Sequence, residues 1–105
     1  QALKILEQVS NDKKLNQVIR DLALYKYLMV QLDVLDTNEY LKTIDSQRIK
    51  ESKFKYLFKE LKALKYLVEE NYIESLEIFN SIILDELAPS DLKERAKKFI
   101  KISKQ

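Results

Sequence analysis

The stretch YLVEENYIESLEIFNSIILDELAPSDLKERAKKFI, residues 66–100, reads as the end of one helix, a tight corner, a second helix, a short link and a third helix. Tyr72, Leu76, Phe79 and Ile83 recur at intervals of three and four, which places them on one helical face with Ile82 beside it. Pro89 ends that helix, because its ring restricts the residue before it, and Ser90 is placed to cap the next one. Leu92, Ala96, Phe99 and Ile100 then share an apolar face, and Lys93, Arg95, Lys97, Lys98 and Lys101 occupy the other. One dry face and one wet face suit the terminal helix of a helical stack.

Working outward, Phe54, Leu57, Leu61, Leu64 and Val68 form the stripe of the preceding helix, widened by Phe58, which ends near Glu70. Asn71 is expected to take the left-handed corner, since Asn tolerates that backbone better than most residues. Further upstream, residues 13–35 carry two stripes. Leu15, Val18, Leu22, Tyr25, Met29 and Leu32 make one, and Ile19, Ala23, Leu28 and Leu35 the other. Two stripes predict a helix contacted from two sides, with Asn11 or Asp12 as its cap. Asp36 with Glu39 has the spacing of a capping box for a short helix over residues 37–44. Residues 45–52, DSQRIKES, read as a loop, with Ser52 a cap for the helix that follows. At the start, Leu3, Leu6 and Val9 mark a short amphipathic helix over residues 1–10.

The chain has 105 residues, enough for one small domain, residues 1–105. It has no Gly and one Pro, so the tight turns of a sheet lack their usual residues. An all-α fold of about six helices follows. A net charge of +2 is too balanced to argue for nucleic acid, and no nucleic-acid partner is expected. The absence of Cys and His removes thiol chemistry and the commonest general base and metal ligand. No Ser has a base in view and no Gly-rich loop can cradle a phosphate, so no catalytic residue, cofactor site or metal site is assigned. The acidic group Glu69, Glu70, Glu74 and Glu77 straddles a helix corner without any His, which argues against a metal. The row Lys53, Lys55, Lys59, Lys62 and Lys65 reads as a solvated helix surface. No apolar run of about twenty residues is present.

The chain also repeats itself. LALYKYL at 22–28 aligns with LKALKYL at 61–67, matching Leu22 to Leu61, Tyr27 to Tyr66 and Leu28 to Leu67. NEYLKTI then aligns with IESLEIF at a smaller offset, so the first unit has either a longer first helix or a longer corner. Two helix pairs of roughly 35–40 residues read as a helical-hairpin solenoid. Residues 63–79 resemble a tetratricopeptide repeat. Ala63 and Tyr66 match the small-x-x-Tyr pair of its first helix, and Ser75 and Phe79 the small-x-x-x-Phe pair of its second. Lys59 and Lys62 depart from that pattern, which prefers Trp and Leu there.

The order ALKILEQV, IRDLALYKYL, ESKFKYLFKELKAL, APSDLKERAKKFI resembles the tetratricopeptide-like domain of the bacterial ancillary Sec translocon subunit family, over nearly the whole chain. The resemblance implies a right-handed superhelical stack with a C-terminal capping helix. It implies a non-enzymatic domain facing the periplasm, an amino-terminal inner-membrane anchor outside this sequence, and the Sec translocon and periplasmic chaperones as partners. In such folds the first helix of each pair lines the concave face. Carried over, that gives Val18, Asp21, Tyr25, Leu28 and Met29 in the first unit, and Leu57, Glu60, Leu64, Leu67 and Val68 in the second. The same positions also suit a covered helix–helix contact, since apolar stripes are commonly core. A cytoplasmic scaffold with an unrelated partner is the alternative to the Sec-associated reading, weak nucleic-acid binding through the Lys rows is a more remote one, and pairing with a second copy is open.

Overall fold

The computed structural model describes residues 2–104, and the described residues are helical without a strand. Seven helices appear among them: α1 (Ala2–Asn11), α2 (Gln17–Val30), α3 (Thr37–Ile44), α4 (Gln47–Lys50), α5 (Lys55–Val68), α6 (Tyr72–Leu84) and α7 (Ser90–Ser103). The expected all-α class is thus met. The chain divides into two compact units, Gln1–Lys55 and Tyr56–Gln105.

In the first unit, α1 packs against α2. The helix expected over residues 13–35 is shorter at both ends. Its cap is Asn16, whose side chain accepts from the Val18 N–H at 2.7 Å. Asp12 instead accepts from the Lys14 N–H at 3.0 Å and closes the turn before it. Asp36 caps α3 as its spacing predicts, accepting from the Asn38 and Glu39 N–H groups. Tyr40 and Leu28 are buried, and the Tyr40 hydroxyl donates to the Leu28 carbonyl at 2.8 Å, tying α3 to α2. Burial pushes that phenol well above its ordinary range, with Tyr25 adding to the shift. The stretch read as a loop contains the short helix α4, whose Ile49 is buried.

In the second unit, α5, α6 and α7 share a core of Ala63, Phe79, Ile82, Ala88, Leu92 and Ala96. Ser75 and Ala63 are both fully buried, and the Ser75 hydroxyl donates to the Ala63 carbonyl at 2.8 Å. Small side chains at that crossing let α5 and α6 approach closely. Phe79 fills the space beside it and stacks on Phe99 at 5.2 Å. Near the α6–α7 link, the Leu87 N–H holds the Asp85 carboxyl below its ordinary range, aided by the Tyr56 hydroxyl and by Lys59 and Lys93. Pro89 occupies the cap position of α7 and Ser90 is its first residue, so the expected Ser90 cap is displaced by one.

Both hairpins have first helices of 14 residues, so the changed offset between repeats comes from the corner. Residues 31–36 connect α2 to α3, whereas residues 69–71 suffice between α5 and α6. The tighter corner is a Schellman turn. The Asn71 N–H donates to the Tyr66 carbonyl at 2.8 Å and the Glu70 N–H to that of Leu67 at 3.0 Å. Glu70, not Asn71, takes the left-handed backbone, with φ 61°. The turn geometry selects the position, and the residue there has a Cβ that position disfavours. Glu70→Gly is therefore expected to stabilise the protein by about 1 kcal/mol, read as a raised urea midpoint with an unchanged slope.

Candidate docking face

Helix α2 is apolar on both sides. Ala23, Leu24 and Leu28 face inward. On the opposite side lie Leu15 just before the helix, then Val18, Ile19, Leu22, Met29 and Val30, all exposed, with Ile19, Met29 and Val30 each more than half so. At 100° per residue the five on the helix fall within about one third of its circumference. Lys26 is the charge in their midst, with Lys13 and Lys14 ahead of them, all three exposed. A contiguous apolar strip of this kind, with charge beside it, is the ordinary mark of an interaction surface.

On the side of α2 away from that strip lies a buried charge. Asp21 lies on the inner side of α2 and is 3% exposed. Its Oδ1 accepts from the Arg48 Nε at 3.1 Å and from the Gln17 side chain at 2.7 Å. Arg48, on α4, also donates through a terminal nitrogen to the Ser10 carbonyl at 2.9 Å. The Arg20 Nε donates to the same carbonyl at 3.4 Å, at the end of α1. One guanidinium therefore ties α1, α2 and α4 together. A buried carboxylate is tolerable only when paired and hydrogen-bonded in this way.

The second unit has a matching pair. Glu60, buried on α5, takes two hydrogen bonds from Arg95 on α7, Nε to Oε2 at 2.9 Å and a terminal nitrogen to Oε1 at 3.2 Å. The register that aligns Leu22 with Leu61 also aligns Asp21 with Glu60. An acid recurring at one place in two apolar stripes was the signal available in the sequence. It was masked because a charge on a helix is ordinarily read as facing water. Arg95 reaches Glu60 while keeping 41% of its side chain exposed at the edge of the wet face, whereas Lys65 leaves the solvated row: it is fully buried, with Glu69 at 3.0 Å.

The ten positions carried over from the family separate by burial. Val18, Met29 and Val68 are exposed, Tyr25, Leu57, Leu64 and Leu67 are half-buried, and Asp21, Leu28 and Glu60 are buried. Leu57 and Leu64 pack against the second unit's core. The exposed strip of α2 thus keeps Val18 and Met29 and adds Leu15, Ile19, Leu22 and Val30. Beside α2, a cleft of about 570 Å³ in the first unit has Leu24, Leu28 and Leu35 in its lining. Glu7, Glu39, Lys42 and Arg48 line it too, so its charges are mixed. Among the described residues no group of three or more acidic side chains is gathered to hold a metal. No helix among them is long and apolar enough to cross a membrane.

No protein-family model, curated protein or solved structure matches the chain.

Proposed function

We propose that the chain is a protein–protein interaction domain that works by docking, with the outward strip of α2 as its main contact. The observation that carries this reading is the run of exposed apolar side chains from Leu15 to Val30 on a helix whose other side is already packed. A rigid helix face bearing anchors at spacings of three and four fits an apolar strip on another helix. Met29 adds an adaptable contact, since its thioether side chain repacks easily. Nothing in the arrangement requires bonds to be made or broken.

The finer proposal is a periplasm-facing domain that assists the Sec translocon and its chaperones, held at the inner membrane by an anchor outside this sequence. Its support is the resemblance of the helix order to the ancillary Sec translocon subunit family. On that reading the native protein fractionates with the inner membrane and crosslinks to the Sec channel. Recovery in the cytosol, with no such crosslink, favours a cytoplasmic scaffold instead.

Leu22→Glu tests the docking face itself. A charge at the centre of the strip is expected to weaken capture of the crosslinked partner by tenfold or more, about 1.4 kcal/mol. Circular dichroism of the variant is expected to match the unsubstituted chain, because Leu22 is not part of the core. Unchanged capture would remove α2 from the docking surface.

A further inference from the structure

A second exposed apolar face lies on the other unit, and its charge is opposite. Helix α6 buries Ser75, Phe79 and Ile82 on its inner side. Outward it shows Ile73 and Leu84, with Tyr72 at its start and Leu87 just past its end, all exposed. Residues 66–92 contain seven acidic side chains and no basic one. Of these, Glu70, Glu77 and Glu86 are exposed on or beside the α6 face. The α2 strip, by contrast, carries Lys26 with Lys13 and Lys14. Among the helices of two turns or more, α2 and α6 are the two whose apolar residues spread most evenly around the axis. A helix that is apolar all round is ordinarily covered on both sides.

We infer that the chain binds a second copy of itself head to tail, the Lys-flanked apolar strip of α2 on one copy seating on the acidic apolar face of α6 on the next. The two surfaces differ, so the contact is heterologous and repeats from copy to copy, closing into rings or extending according to the rotation between copies. Opposite charges around apolar centres set the register and disfavour α2 on α2 or α6 on α6, where like charges would meet. This inference rests on the reading of α2 as a docking face and names what docks there.

Sedimentation velocity over a range from micromolar to millimolar protein tests it. The unsubstituted chain is expected to associate with rising concentration, more weakly at high salt. Lys26→Glu and Glu77→Lys, both at exposed positions, are each expected to sediment as monomers where the unsubstituted chain associates. An equimolar mixture of the two variants is expected to associate again. In the mixture the acid introduced on the α2 strip of one variant meets the base introduced on the α6 face of the other, and each unchanged Glu77 meets an unchanged Lys26. Circular dichroism of each variant checks that it is folded, and Lys26→Gln with Glu77→Gln stand in for any variant that is not. A chain that stays monomeric throughout overturns the inference while leaving α2 free to bind an unlike partner. Association that Leu22→Glu abolishes and Glu77→Lys leaves unchanged also overturns it, because the contact is then α2 on α2. If Leu22→Glu has no effect on association, the contact between copies does not use α2 and the inference is overturned, while loss of partner capture in the same variant still tests α2 as a docking face.

Discussion

Phe79→Ala is expected to remove about 3–5 kcal/mol of stability, the range for truncating a buried aromatic. Phe79 is fully buried in the core that α5, α6 and α7 share. Its loss opens a cavity beside Ala63, where the close crossing of α5 and α6 leaves little freedom to collapse. It also removes the stack on Phe99, whose rings lie 17° from parallel and which contributes about 1 kcal/mol beyond its area. Total stabilities of small domains are about 5–15 kcal/mol, so the variant is expected to unfold at a markedly lower urea midpoint. Phe79→Leu keeps much of the volume and is expected to lose less than half as much. Equal losses from the two variants would show that the stack, not the volume, holds the site.

The second large effect is expected from Arg48→Met. It leaves the Asp21 carboxylate buried with only the Gln17 side chain as a donor from those described above, and removes one of the two donors to the Ser10 carbonyl. Breaking a buried pair from one side costs about 3–5 kcal/mol. Arg48 keeps about a quarter of its side chain in water, so the lower end, about 3 kcal/mol, is expected after allowing for solvent screening. Asp21→Leu combined with Arg48→Met is expected to recover most of that loss, because the uncompensated charge is then gone. Urea unfolding of the two single variants and the double variant measures the coupling. A double variant as unstable as Arg48→Met alone would mean that the bond to Ser10, and not the ion pair, is what matters.

The helices were largely legible because their causes are local. Apolar spacings of three and four, the Asp36 cap and the stop near Pro89 each act within a turn or two of chain. Errors of position came where local choices were nearly equal. Asn16 rather than Asn11 or Asp12 caps α2: all three side chains are good caps, but Asn11 still belongs to α1 and Asp12 closes the turn between the helices. Glu70 rather than Asn71 takes the left-handed backbone, because the Schellman hydrogen bonds set which residue turns. The short helix α4 escaped notice because four residues show no periodicity; its Ile49 is held by burial.

By itself the sequence determined an all-α chain of two helical hairpins with a flanking helix at each end, since composition and helical period act wherever the chain lies. It also determined that α2 is apolar on two sides. Which side faces water was decided only by tertiary structure. Burial of apolar surface has no direction, so two stripes of similar content compete on nearly equal terms. Asp21 marks the side that is buried: it looks solvent-facing in the sequence, and only Arg48, 27 residues later, makes its burial tolerable by pairing with it. Once that pair is inside, Leu24 and Leu28 must be inside with it. Ile19, Leu22 and Met29 are then left facing water.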